Sequence, residues 1–578
     1  MNSPPPSYDL VNEVISRTRI RGTQDDSIPD EVNQWWEEDA AKLTKYPVDP
    51  HWIDLDIVRG WMDTCVSTHG FSCWPLNGLD CIPLWLIDVE LLCLVPAFPH
   101  HRYLALSYVW GNVESSETTL ANLEAMQLPG AMSHLNTDIS IPKTISHAIG
   151  FVKAIGERFL WVDRFCICQD DEEAKSAQIN NMGDIYNNAL VTIVAASGWD
   201  ANHGLRGIKG VTEPRNLSPN MGDDYVKSLQ PQSSIWYSRG WTFQELCMSK
   251  RKLMFHYQAV IWECGSHVWH EAHGCQNTPE IPRPLRITPW SSNEILNTGA
   301  LLRGHLKLYY RLVNSYNSRN LSYAADASRA FAGVASVLTK RVLPGGFIWG
   351  IPVDLFHAAL LWIPREPMKR RYPERAAGLD PPSWSWLGWQ GRIRDDNWLS
   401  FNYHGESDVW QTLISNLEPE SEWWYMNRSN EMELEPLRPL DPQTNAALFS
   451  PCLTVRAQVG TLAVISGKPF INTSLESRVL RLPNRAQSIS KCGILLGDVS
   501  ETEIEEGTEI ECMILSSSKG AIVPFLRYDE MFSFEKTYYN FLWIRREGDL
   551  AYRRGIGRVV KSLWDKYIGN DIQTIRLA

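Results

Sequence analysis

From Tyr103 onward, short apolar runs are separated by segments of helical period, and this pattern constrains the fold more than any other feature of the chain. YLALSYV (103–109) is continuously apolar rather than alternating, which fits a strand covered on both faces. IPKTISHAIGFVKAIGE (141–157) follows, with Pro142 suited to a first helical turn and Ile145, Ala148, Ile149 and Val152 on one face. FLWVD (159–163) reads as the next strand. A helix from about Asp171 then carries Met182, Ile185, Tyr186 and Ala189 at i, i+3, i+4 and i+7, and LVTIVAA (190–196) is a third strand. Beyond a Gly-, Pro-, Ser- and Asn-rich loop at about 197–234 come a short helix, RGWTFQELCM (239–248), and two β-type runs, KLMFHY (252–257) and AVIWEC (259–264). Such alternation predicts an α/β fold built on a doubly wound, mostly parallel sheet with helices on both faces.

The flanking regions read differently. Residues 1–50 are Pro-, Asp- and Glu-rich and are expected to be a flexible arm. Residues 51–100 form a small Trp- and Cys-rich segment, 101–270 the α/β unit, 271–345 a helical segment, and 346–578 a Trp-rich, β-rich C-terminal region. The chain has 25 Trp, enough to build a substantial core or to present aromatic surface to a partner. Its net charge of −12 argues against a protein that wraps nucleic acid or coats anionic membrane. The short basic runs Lys250–Lys252 and Lys369–Arg371 read as solvated loop charge. Met1–Asn12 lacks the pattern of a secretory signal, and the best apolar stretch, from Pro83, is broken by Asp88 and Glu90. A cytoplasmic protein with no membrane span and with reduced thiols is expected.

In a doubly wound sheet, ligands bind where loops meet at the carboxyl ends of the strands. The first strand delivers Ser107, Tyr108, Trp110 and Gly111; the second delivers Asp163 and Arg164, then Cys166, Gln169 and Asp170; the third delivers Ser197 and Gly198. A fourth cluster is Arg239, Trp241, Gln244 and Glu245, the last three at i, i+3 and i+4 on a short helix. Carboxylates, an arginine, amides and indole faces on one rim suit a polar, ring-containing ligand. The alternative is that these groups satisfy one another within the fold.

Other candidates carry less. Cys65, His69 and Cys73 stand at i, i+4 and i+8, so on an unbroken helix the outer two would lie about 12 Å apart, too far for one metal ion unless the chain breaks at Gly70. No metal site is therefore expected. Cys166 with His147 or His203 would make a thiol-nucleophile arrangement, but nothing in the spacing brings these residues together. Gly555-Ile-Gly557 lacks the third glycine of a dinucleotide fingerprint, and no phosphate-binding loop is present.

Four motifs resemble, in order, those of the HET (heterokaryon incompatibility) domain of filamentous fungi: YLALSYVWG (103–111), WVDRFCICQ (161–169), Met182-x-x-Ile-Tyr-x-x-Ala189 and SRGWTFQE (238–245). Weaker resemblances extend outward to WMDTCVSTHGFSC (61–73), SRNLSYAADASRAFAGV (318–334) and PPSWSWLGW (381–389). One departure is Cys168, where the family usually has Asn. The resemblance implies a role in non-self recognition and regulated cell death, with protein partners reached by self-association or as an incompatibility partner. The family has also been likened to the flavodoxin-like TIR domain, some members of which cleave NAD. On that likeness Glu245 would be the catalytic carboxylate, Trp110 or Trp241 would stack a ring of the nucleotide, and NAD would be substrate rather than resident cofactor. A non-catalytic interaction or signalling module is the alternative, in which the rim motifs only hold the fold.

Overall fold

The computed structural model describes residues 48–70, 73–74, 82–217, 231–271, 302–365, 367–371, 381–393, 417–427, 434–437, 449–465, 477–483, 491–498, 507–519, 537–569 and 571–578. The expected N-terminal arm, up to residue 47, lies outside them, as do the middle of the 197–234 loop and the start of the helical segment.

Eight strands make the first sheet: β1 (Trp85–Asp88), β2 (Cys93–Pro96), β3 (Tyr103–Ser107), β4 (Phe159–Trp161), β5 (Thr192–Ala195), β6 (Arg251–His256), β7 (Ala259–Cys264) and β8 (Val268–His270), in the spatial order β2-β1-β4-β3-β5-β6-β7-β8. The four central strands, β4, β3, β5 and β6, are parallel. Every residue of β3, β5 and β6 is buried, as the apolar runs of β3 and β5 demand; at the start of β6 the basic run Lys250–Lys252, expected as solvated loop charge, is buried instead, with Lys252 paired to Glu263 at 3.4 Å. The remaining pairings are antiparallel, so the sheet is mixed around a parallel centre. The reason is connection length. Only Tyr257 and Gln258 join β6 to β7, both with positive φ (47° and 67°), and two residues close a hairpin but cannot carry a parallel crossover. The segment at 51–100, expected as a unit of its own, supplies β1 and β2 to this same sheet, and its helix Leu55–Thr68 buries Trp61 and Cys65 in the shared core.

From β3 the chain steps to β4 on one side and then crosses to β5 on the other. The carboxyl ends of β3 and β5 therefore flank a topological switch point. Helix Lys143–Ala154 makes the first crossover and buries Ile145, Ala148, Ile149 and Val152, the predicted stripe. The helix expected from Asp171 is two helices, Glu172–Asn180 and Met182–Asn188, separated at Asn181. Asp171 caps the first, accepting from the Ala174 N–H at 3.0 Å.

Helix Gly240–Met248 packs against Arg329–Arg341, with Phe243 5.3 Å from Tyr316 of helix Leu302–Asn317 and 6.1 Å from Phe331. The C-terminal region forms a second, mostly antiparallel sheet in which the long strand Phe449–Ile465 pairs with several neighbours.

The SWSWLGW motif lies in the interior. Trp384 donates to the Pro451 carbonyl at 3.1 Å, Trp386 to the Tyr309 hydroxyl at 2.8 Å, and Trp389 to the Ser383 carbonyl at 2.9 Å. Trp61, Trp161, Trp236, Trp262, Trp362 and Trp564 are fully buried too. Among the described residues the indoles exposed by half or more are Trp74 and Trp199, so most of the described indoles serve the core. No helix among the described residues is long and apolar enough to cross a membrane.

Candidate functional site

Ser107 ends β3 at the switch point and is buried. Its hydroxyl donates to the Glu245 carboxylate, reaching from the sheet to helix Gly240–Met248, and accepts from the Trp236 indole N–H at 2.7 Å. The Tyr186 hydroxyl lies beside the same carboxyl and donates to the Leu106 carbonyl at 3.1 Å. Glu245 is only 6% exposed. Burial pushes it up from the ordinary carboxylate range to about 7, the neighbouring Asp163 charge adds to that rise, and Ser107, Arg239 and Tyr186 oppose it. At neutral pH this carboxyl is therefore divided between its two protonation states.

Asp163 follows β4 and opens the single turn Asp163–Cys166. It accepts from the Trp110 indole N–H at 2.8 Å and from the Arg164 backbone N–H at 2.8 Å. Burial raises its carboxyl, against the pull of those donors and of Arg239 and Arg164. The Arg164 guanidinium stacks over Trp110 at 4.2 Å and donates to Ser115 at 2.9 Å. Arg239, half-buried, donates to the Tyr108 carbonyl at 2.8 Å and acts on both carboxyls. Tyr108 is buried near Asp163 and Arg164, and burial holds its phenol well above the ordinary value. Gly111 closes this group. It has φ +60°, and an added Cβ would lie 2.4 Å from the Asp200 Cβ.

Ser107, Tyr108, Trp110, Gly111, Asp163, Arg164, Arg239 and Glu245 thus gather at the carboxyl ends of β3 and β4. Three other predicted residues point elsewhere. Gln169 donates to the carbonyls of Asp163 and Ile167, both at 3.1 Å, and braces the loop. Trp241 donates to Asp326 at 3.1 Å, and Gln244 accepts from the Gly333 N–H at 2.9 Å, so both serve the contact with the helical segment. The i, i+3, i+4 spacing put 241, 244 and 245 on one side of a helix, but that helix is sandwiched and its side is divided between two neighbours. Trp236 and Tyr186 are the partners that sequence reasoning missed. Trp236 stands two residues before the SRGWTFQE motif, and Tyr186 falls on the apolar stripe Met182, Ile185, Tyr186, Ala189.

The thiol-nucleophile arrangement is not formed by the described residues. Cys166 is fully buried, burial pushes its thiol up to about 12, and its sulfur faces the Leu160 carbonyl. His147 bonds the Leu205 main chain, and His203 packs against Trp199 at 4.5 Å. Cys168 and Asp170 bond each other, and Asp170 accepts from the Leu120 N–H at 2.7 Å. Ser197 and Gly198 line a separate small pocket with His203, Arg206 and His256.

The expected 12 Å separation of Cys65 and Cys73 does not hold. The helix stops at Thr68 and Gly70 turns with φ +50°. Donor atoms of Cys65, His69, Cys73 and Cys264 consequently lie within 4.8 Å of one another.

Residues 103–245 match the family model described as "Heterokaryon incompatibility protein (HET)". The chain is also 33% identical over 134 residues to "Heterokaryon incompatibility protein 6, OR allele" of Neurospora crassa, a stretch covering 22% of this chain and 18% of that relative's length. No solved structure matches the chain. The span similar to the HET model thus takes in β3, β4, β5, helix residues Gly240–Glu245 and the rim residues, whereas β1, β2, β6, β7 and β8 lie outside it.

Proposed function

We propose that this chain acts in fungal heterokaryon incompatibility, with the HET domain as the effector that triggers regulated cell death, and that its rim takes a nucleotide of the NAD type. The observation that carries the proposal is the grouping of two raised carboxyls, Glu245 at about 7 and Asp163, with Arg239 and Trp110 at the carboxyl ends of the parallel strands β3 and β4, β3 itself bordering the switch point. In the proposed cleavage the bond between ribose C1′ and the nicotinamide nitrogen breaks, and the electron pair leaves with nicotinamide. A water oxygen then bonds to C1′ and releases its proton. Ionised Glu245 stabilises the oxocarbenium-like ribose, as carboxylates do in glycoside hydrolysis. Asp163 holds Trp110 by its N–H, and Arg239 pairs with the pyrophosphate once it releases the Tyr108 carbonyl. Purified full-length protein incubated with NAD should release nicotinamide, and Glu245→Gln should abolish that release while leaving the fold intact.

One observation favours a second reading. Glu245 is buried and its carboxyl is already held by Ser107, so the network can serve as a brace for a non-catalytic interaction module. On that reading Glu245→Gln retains toxicity in a hyphal growth assay, and toxicity instead depends on a protein partner.

A further inference from the structure

We propose that Cys65, His69, Cys73 and Cys264 form a closed structural zinc site that clips helix Leu55–Thr68 to β7, the strand next to the edge of the first sheet. Three elements meet there. Cys65 lies in the last turn of helix Leu55–Thr68, and His69 is its C-cap. Cys73 follows the turn at Gly70, its N–H bonded to the Gly70 carbonyl at 3.1 Å, and Cys264 ends β7.

The spacing suits one tetrahedral ion. The His69 Nδ1 lies 3.4 Å from the Cys264 Sγ and 3.8 Å from the Cys73 Sγ, and the whole quartet falls within 4.8 Å. A tetrahedron with Zn–S of about 2.3 Å and Zn–N of about 2.0 Å has edges of roughly 3.5–3.8 Å. The donor set is equally telling. Three sulfurs and one imidazole make the Cys₃His combination of structural zinc, and soft thiolates select zinc over magnesium or calcium. All four tetrahedral positions are filled by protein, which leaves no place for a reacting water.

The surroundings are those of a metal centre rather than a chance thiol cluster. The Arg251 Nε–H donates to the Cys65 Sγ at 3.2 Å, and the His267 backbone N–H donates to the Cys264 Sγ at 3.3 Å. N–H groups aimed at sulfur stabilise thiolates and orient them. Three thiolates and a dication carry net charge −1, which the Arg251 guanidinium balances. The His267 ring stacks on His69 at 4.6 Å, and Trp269 lies 5.4 Å from it, sealing the centre. Cys65 and Cys73 are fully buried and Cys264 nearly so. Binding displaces up to three thiol protons and consumes no oxidant.

The test uses the full-length chain purified without chelators from zinc-supplemented medium. Elemental analysis should find about one zinc per chain, and the Cys73→Ser, Cys264→Ser double variant should retain less than a fifth of that. A second measurement needs no variant. Cobalt(II) added to metal-stripped protein should give the visible ligand-field bands of a tetrahedral ion together with thiolate charge-transfer absorption. Wild-type protein without zinc and without those cobalt bands would overturn the assignment, as would full zinc content in the double variant. Thiol titration of the unfolded, unreduced chain that falls two short of its 12 cysteines, with no zinc present, would replace the site with a disulfide. None of these readouts depends on what Glu245 does.

Discussion

Ser107 hands its hydroxyl hydrogen to Glu245 across 138 residues of sequence, tying the end of the first parallel strand to the helix that crosses above the sheet. The same hydroxyl oxygen accepts the Trp236 N–H, so one small side chain satisfies two buried groups. This junction is where the fold and the proposed chemistry meet, and it gives the first expectation. Ser107→Ala leaves the Trp236 N–H without its acceptor and should cost about 1–3 kcal/mol in urea unfolding. It also removes a donor that holds the Glu245 carboxyl down, so any pH transition assigned to Glu245 should move upward.

The raised Glu245 carboxyl has a definite sign in stability. Its folded value, about 7, lies above the ordinary 4.5, so the folded state holds the proton more tightly than the unfolded chain. Stability from this group is full below about 4.5 and is lost as pH rises through about 7, a total on the order of 3 kcal/mol. Glu245→Gln removes the titration. The melting temperature of the variant minus that of the wild type should therefore climb between pH 4.5 and 7 and then level off.

Gly111 and Gly130 separate steric clash from backbone strain. Both have positive φ, +60° and +83°, but a Cβ at 111 meets Asp200 whereas one at 130 meets nothing within 4 Å. Gly130→Ala should cost about 1–2 kcal/mol, the left-handed penalty alone. Gly111→Ala should cost clearly more and should disturb the Trp110 environment, read by tryptophan fluorescence and thermal melts.

Arg215 and Glu271 form a buried two-pronged pair at 2.5 and 2.7 Å, and the same guanidinium holds the carbonyls of Asp49, Trp52 and Gln258. Glu271→Ala leaves a buried guanidinium without its counter-charge and should destabilise by about 3–5 kcal/mol in chemical unfolding. Replacing both partners with apolar residues, as in Arg215→Met with Glu271→Leu, should cost less than the single change.

The parallel centre of the sheet was legible because continuous apolar runs such as Tyr103–Ser107 have one stable use, a strand covered on both faces. The convergence of Trp110 and Asp163 followed from topology, since strand ends on one side of a parallel sheet must be neighbours, whereas Glu245 arrives from helix Gly240–Met248, which precedes β6. The direction of a side chain from a sandwiched helix was not legible. Trp241 and Gln244 turn to Asp326 and Gly333, contacts made by a region whose placement no local pattern encodes. The Cys65–His69–Cys73 spacing closes through a break at Gly70, the one exception the sequence allowed, and the chain takes it with Gly70 at positive φ. Cys264 was hidden because a cysteine closing a buried strand reads as core.

In the proposed reaction the Glu245 carboxyl does chemistry on a nucleotide. The most direct measurement is nicotinamide release from NAD at pH 7 by purified full-length protein, compared with Glu245→Gln of matched thermal stability. Turnover is expected in the wild type, with a loss of about 100-fold or more in the variant. Equal rates in the two proteins, or no turnover by the wild type even when self-associated, would contradict it.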